Sequence, residues 1–302
     1  MNRDRAICVR LMGGLGNQMF QYAVGRATAH RLGVELLVDD RYLQRRQQHS
    51  GFALDAFRLR GRTADAAVHS AFPEIKWRVS RALRRQIRPL WGFFHERGMG
   101  YDPSIRDVQA GMLLSGFWQS WRYFQDVAPT LREEFVLDTP WPKEAEQLLN
   151  EFADPGRGDS VALHVRRGDY AHSPDALRRH GLCTAEYYNQ AMSQMVRRVP
   201  RAVFRVFSDD PDWVRHNLQL PAGTEFISRP TFRPEHDLML MAGCRHQIIA
   251  NSTFSWWAGW LNVSPGKVVI APSPWFDEPG MDNADRWPEG WLLLDKRTGL
   301  EK

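Results

Sequence analysis

Four short segments concentrate the residue types that do chemistry. His164-Val-Arg-Arg-Gly-Asp-Tyr170 places an imidazole, two guanidiniums and a carboxylate side by side. A guanidinium is permanently charged and its forked donors match phosphate oxygens, so one of Arg166 and Arg167 suits a clamp on a departing nucleotide diphosphate. The other then pairs within the fold, Arg167 with Asp169 being the internal alternative. His164 is either a ligand contact or a satisfied core histidine. Phe207-Ser-Asp-Asp-Pro-Asp212 is acidic: Asp209 could accept from a guanine edge or a ribose, whereas Asp210, just ahead of Pro211, reads as a helix cap. Asn251-Ser-Thr-Phe-Ser-Trp-Trp257 gathers Ser252, Thr253 and Ser255 at the opening of an apolar helix. The free N–H groups and positive dipole end of such an opening receive phosphate oxygens, and capping alone explains one hydroxyl rather than three. The fourth segment, Gly13-Gly-Leu-Gly-Asn-Gln18, lets backbone approach a ligand closely, either as a site or as a tight structural turn. It lacks the last glycine of a dinucleotide fingerprint, and no Walker lysine follows.

Each segment needs an element to hold it. Residues 7–12 read as a short buried strand running into the glycine loop, then a helix over 19–31 and a second strand over 34–38. From residue 160 the alternation returns: strand 160–166, helix 185–198 capped by Thr184, strand 202–207, helix 211–218, helix 235–243, strand 247–250, helix 254–262 and strand 267–271. Strands alternating with helices make parallel sheets covered on both faces, and such sheets bind ligands outside the carboxyl ends of their strands. The chemistry-bearing segments all follow strands. In a regular strand His164 and Arg166 share a face and can meet one ligand. Trp256, Trp257 and Trp260 lie on a helix over the sheet and read as core packing rather than sugar platforms. A loosened stretch around Pro140, Pro142 and residues 153–159 reads as a linker, dividing domains 1–155 and 156–302.

Composition excludes several classes. The 302 residues are 43% hydrophobic and 25% charged, which is globular, and the net charge of +5 suits a phosphate-bearing partner. Neither zinc-finger spacing nor an aromatic ribonucleoprotein motif is present, so no nucleic-acid partner is expected. The opening apolar run is too short for a signal peptide or a spanning helix. Three cysteines, Cys8, Cys183 and Cys244, suggest neither a disulfide framework nor a zinc site and fit a reducing cytoplasm. Arg81, Arg84, Arg85 and Arg88 crowd one side of a helical pattern near residues 79–90, either a solvated flank or a face for peripheral contact with an anionic membrane or a phosphate-linked acceptor. Asp210-Pro-Asp212 has the spacing of a metal-binding pair, but proline and capping chemistry account for it. Arginine and a helix N-terminus can stabilise a leaving diphosphate without an ion, so no metal and no cofactor are expected.

The blocks 13–21, 164–170, 207–210 and 237–262, in this order, resemble the motifs of glycosyltransferase family eleven, the alpha-1,2-fucosyltransferases. The resemblance runs from residue 7 to about residue 275. It implies an α/β GT-B-like architecture, two Rossmann-like domains facing a cleft, the carboxyl-terminal half holding GDP-fucose and the amino-terminal half helping to bind the acceptor. It implies inverting transfer of fucose to the 2-hydroxyl of a terminal galactose in a surface glycan, either free or lipid-linked. Carried onto this sequence, it makes Arg166 the pyrophosphate clamp, with Arg167 beside it, and His164 and Asp209 nucleoside contacts. Ser252, Thr253, Phe254 and Ser255 would line the phosphates. Related fucosyltransferases point to Asn17 near the donor, with Gly14, Gly16 and Gln18 of the same loop at the substrate. Asp169 is the carboxylate available as general base, or else it orients Arg166 or Arg167. One departure is Trp257-Ala-Gly-Trp260, where the small pair is expected as Gly-Ala; another is the lack of the anchor of animal members. The alternatives are a fucosyltransferase of another linkage, alpha-1,6 or O-linked, and a nucleotide- or glycan-binding module without catalysis.

Overall fold

The structure, a computed structural model, describes residues 5–46, 51–64, 72, 92–168, 173–281 and 285–302. Two compact units divide the chain, Met1–Thr139 and Pro140–Lys302. The arginine-rich segment near residues 81–88, together with Asp169 and Tyr170, lies outside the described residues.

The first unit opens on strand β1 (Ala6–Arg10), whose five residues are all buried. Helix α1 (Leu15–Leu32) follows and ends at Gly33, whose φ of 65° is the left-handed cap that glycine supplies without penalty. The helix begins at Leu15, ahead of the expected start, because the glycine loop itself supplies its N-cap at Gly14. Strand β2 (Glu35–Asp39) pairs with β1 in parallel, Ala6 opposite Glu35. Helix α2 (Arg41–Arg46) and the short strands β3 (Arg62–Thr63), β4 (Phe93–His95) and β5 (Leu113–Ser115) follow. All pairings are parallel, in the order β3-β2-β1-β5-β4. Helix α3 (Ala128–Glu134) sits near the end of the unit.

The second unit starts with helix α4 (Lys143–Ala153), an element ahead of the linker expected near residue 155. Its Ala145, Leu148 and Phe152 pack with Ala162, Leu240 and Ala258, so the helix belongs to the core of this unit. Strand β6 (Asp159–Val165), helix α5 (Pro174–His180), helix α6 (Ala185–Arg198), strand β7 (Ala202–Ser208) and helix α7 (Pro211–Asn217) follow. Then come strand β8 (Glu225–Phe226), helix α8 (Pro234–Gly243), strand β9 (His246–Ile248), helix α9 (Thr253–Leu261), and strands β10 (Val269–Ser273) and β11 (Leu292–Asp295). The sheet order is β11-β10-β9-β6-β7-β8, again with parallel pairs.

Helices cover both faces of this sheet. Val161, Leu163 and Val165 of β6 meet Tyr187, Ala191 and Met195 of α6 and Val214 of α7. Ala162, between them in sequence, turns to the opposite face with Phe207, Leu240 and Ala258, as the alternation of a strand requires. Trp256 and Trp257 are fully buried.

Asn262 closes α9 by pairing rather than by apolar contact. Its amide donates to the carbonyls of Cys244 and Arg245 and to Gln247 Oε1, at 2.9 to 3.1 Å, and accepts from Ser264 N–H at 2.7 Å. The side chain is buried, so its loss leaves these groups unpaired without access to water. Asn262→Ala is expected to destabilise the protein by about 2 kcal/mol, read as a lower urea midpoint at unchanged slope.

Candidate active site

A doubly wound sheet reverses its direction of winding at one pair of neighbouring strands, and the crevice outside their carboxyl ends is where such folds bind ligands. In the second unit β6, β7 and β8 step one way and β9, β10 and β11 the other, so the reversal falls between β6 and β9. The segment His164 to Gly168 closes β6, and the Asn251 to Ser255 segment follows β9. Register sets Val165 opposite Ser208, which brings Arg166 beside Asp209. Arg166 Nη1 lies 3.0 Å from Asp209 Oδ2, with both side chains partly exposed. The same carboxylate accepts the Arg167 backbone N–H at 2.9 Å. Gly168 is fixed by this contact, because a Cβ there would stand 2.5 Å from Asp209 Oδ2.

Arg167 turns elsewhere. Its Nε lies 3.2 Å from Asp210 Oδ2 and its guanidinium 4.1 Å above the Trp213 ring, while Asp210 caps α7 by accepting the Trp213 N–H. Arg167 thus pairs within the fold with Asp210, which also serves as the helix cap, while Asp169, the partner expected from sequence, lies outside the described residues.

His164 lies on the α8 and α9 face with Ala162, its ring 5.7 Å from Phe254. It is buried, and Nδ1 meets no hydrogen-bond partner among the described residues. Burial, reinforced by the Arg166 charge, pushes its pKa down to about 3, so the ring is neutral at physiological pH.

The hydroxyls at the start of α9 differ in what they can do. Ser252 is the N-cap, its Oγ accepting the Phe254 N–H at 3.4 Å, and the fully buried Ser255 donates to the Ser252 carbonyl at 3.4 Å. Thr253 and Phe254 are partly exposed. The helix spans nine residues, so its dipole and first-turn N–H groups offer a receptor for anionic oxygen.

Asp237 is the residue of this edge to which sequence reasoning assigns no role. It stands in the first turn of α8, where Ser228 Oγ donates to Oδ2 at 2.8 Å and Oδ1 has no hydrogen-bond partner among the described residues. Burial pushes its pKa up to about 6. The available signal was a second carboxylate, after Glu235, in the first turn of a helix that is apolar beyond it, and it was masked by the usual preference for acids at that position.

In the first unit the winding reverses between β1 and β5. Gly13, with φ of 75°, and Gly14 follow β1, and a Cβ on Gly14 would meet nothing within 4 Å. Gly16 is buried in the first turn of α1. Asn17 is partly exposed and its Oδ1 accepts from Gln119 Nε2 at 2.6 Å. Gln18, placed by resemblance at the substrate, is fully buried. Its amide donates to Gly13 and Gly51 carbonyls and accepts the Ala53 N–H, so it acts as a strut of the loop. Gln21 does the same across the reversal, accepting the Met12 N–H and donating to the Gly116 carbonyl. No cluster of three or more His, Cys, Asp or Glu suited to a metal occurs among the described residues. None of their helices is long and apolar enough to cross a membrane.

Two doubly wound parallel sheets, each with polar residues gathered where its winding reverses, define the α/β class of two-unit glycosyltransferases with a GT-B-like fold. The family model for Glycosyl transferase family 11 matches residues 2–295. The chain belongs to that family and is a glycosyltransferase. It is 34% identical over 297 residues to an alpha-1,2-colitosyltransferase of Escherichia coli, covering 96% of this chain and 99% of the relative. It is 25% identical over 257 residues to galactoside alpha-(1,2)-fucosyltransferase 2 of Hylobates lar, covering 84% and 68% respectively. The crystal structure of fucosyltransferase NodZ from Bradyrhizobium shares the fold, with a TM-score of 0.51 at 14% identity over 89% of this chain and 95% of that one.

His164 and Asp237 make opposite contributions to stability across acid pH. His164 binds its proton more weakly folded than unfolded, so its neutral form favours the native state above about pH 6.5, and that advantage is lost as pH falls toward 3. Asp237 holds its proton more tightly folded, so it costs stability as pH rises from about 4 through 6. Asp237→Asn is expected to unfold at higher urea than wild type at pH 8, the gap closing below pH 4. A gap independent of pH would assign the burial cost elsewhere.

Proposed function

We propose that this protein transfers L-fucose from GDP-fucose to the 2-hydroxyl of a terminal galactose with inversion, and does so without a metal ion. The observation that carries the reading is the juxtaposition of Arg166 and the N-terminus of α9 across the β6–β9 reversal, a receptor for diphosphate oxygens. As the acceptor oxygen bonds to the sugar's anomeric carbon, the bond from that carbon to the β-phosphate oxygen breaks. Negative charge grows on the departing GDP, and Arg166 with the first-turn N–H groups of α9 stabilises it more in the transition state than before.

Asp209 holds Arg166 in place and gives it up in part to the diphosphate. Thr253 and Phe254 border the phosphates, with Ser252 and Ser255 shaping the turn beneath them. The open Oδ1 of Asp237 and the neutral ring of His164 are the polar groups left for the guanine edge. Asp169 takes the acceptor's proton, and Asn17 serves the donor from the first unit, which holds the acceptor. The partners on this reading are GDP-fucose and a galactose-terminated oligosaccharide, and the setting is the cytoplasm, where surface polysaccharide is built.

A second donor is favoured by one observation, the 34% identity to a colitosyltransferase. Colitose lacks only the 3-hydroxyl of fucose, so the same diphosphate receptor serves either sugar.

The test is GDP release and product linkage with GDP-fucose and GDP-colitose, each offered with terminal galactosides in EDTA. The expected result is an alpha-1,2-linked product in EDTA, with Arg166→Ala lowering kcat by about 100-fold or more. An alpha-1,6 product would replace the linkage, loss of turnover in EDTA would replace the metal-free mechanism, and binding of GDP-fucose without transfer or hydrolysis would replace catalysis itself.

A further inference from the structure

The turn after β5 in the first unit is built around an unfavourable backbone. Trp118 has φ of 56°, a left-handed conformation that is costly for a residue of this bulk. It is held there by Glu96, which directly follows β4 and accepts the backbone N–H groups of Phe117 at 2.7 Å and Trp118 at 2.9 Å. Gly116 makes room for that carboxylate, since a Cβ there would lie 2.5 Å from Glu96 Cβ. The Trp118 indole is fully buried, stacked on Phe94 and edge-on to Tyr123. On the other side Gln21 holds the Gly116 carbonyl, and Gln119 holds Asn17.

The side chain this scaffold presents is Phe117, 39% exposed at the carboxyl end of β5, beside the glycine loop that follows β1. Val263 and Leu300 are more exposed still, and single exposed apolar residues need no explanation. Phe117 differs from them in what fixes it. Its N–H is clamped by a carboxylate, its neighbour carries the strain, and the turn lies at the winding reversal where this fold binds ligands.

We propose that Phe117 is the platform on which the terminal pyranose of the acceptor stacks. A galactose ring has one face lined by C–H bonds, and the negative face of a phenyl ring attracts those hydrogens while shedding water from both surfaces. Phe117 stands in the first unit, which the reading above assigns to the acceptor, so the sugar it meets is the acceptor's rather than the donor's. The pinned backbone means little ordering entropy is spent when the sugar arrives. The inference rests on the transferase reading above.

The experiment compares wild type, Phe117→Ala and Phe117→Trp by steady-state kinetics with galactoside varied at saturating GDP-fucose and the reverse, and by GDP-fucose hydrolysis without acceptor. The alanine variant is expected to lose about tenfold or more in kcat/KM for the galactoside, with donor KM and hydrolysis within twofold of wild type and the tryptophan variant restored. An unchanged kcat/KM for the galactoside, in a protein that still makes product, overturns the platform and leaves the transferase reading standing. So does a loss that appears equally in donor KM or hydrolysis. A wild-type protein that turns over neither GDP-fucose nor GDP-colitose overturns the transferase reading, and this inference with it.

Discussion

A parallel sheet can return each strand to its own edge only by crossing one of its faces, and a sheet covered on both faces must reverse its winding somewhere. At that reversal the connections leave the two adjacent strand ends in opposite directions and cover neither. Both units of this protein are arranged around that constraint, with the reversal between β1 and β5 in one and between β6 and β9 in the other. Three of the four polar segments of the sequence, those after β1, β6 and β9, fall at these places, and the fourth follows β7, the neighbour of β6.

The two adjacent arginines after β6 show how the edge divides labour. Arg167 is committed to Asp210 and to the face of Trp213, which ties the end of β6 to the start of α7. Arg166 is paired with Asp209 at the rim, where both side chains are partly exposed and water screens the pair. His164, buried beneath Arg166, stays neutral, and Asp237 is held partly protonated by burial. The second is a cost to the fold, and such costs concentrate where binding needs a group that folding does not.

Much of the second unit was legible in the chain. Helix α6 runs over the residues its periodicity marks, and Thr184 caps it by accepting the Tyr187 N–H. The long strands β6 and β7 are visible because their apolar residues, broken by His164 in one and Arg205 in the other, point to both faces and are buried between two layers. The first unit resisted reading for the opposite reason. Strands β3, β4 and β5 span two or three residues, too few to show a period, and their pairing partners lie far along the chain. Glu96 gives no sign in sequence that it will hold the backbone of Phe117 and Trp118, nor Gln119 that it will meet Asn17, because those contacts exist only once β4, β5 and β1 are side by side. Gln18 was legible as part of a loop motif, yet its buried amide binds the loop to itself.

The relation to a colitosyltransferase bears on how specificity is distributed in this architecture. Fucose and colitose differ by one hydroxyl, and a site that merely leaves space for it separates the two donors weakly. A site that hydrogen-bonds that hydroxyl can reject the deoxy sugar by several orders of magnitude, because its own polar groups would be left unpaired. If the diphosphate is held after β6 and β9 as proposed, the groups that hold it act on phosphate and not on the sugar's 3-position, and they are indifferent to the choice. Donor identity within this family must then rest on sugar-facing residues, and the strand ends that hold the nucleotide can stay the same while the sugar changes.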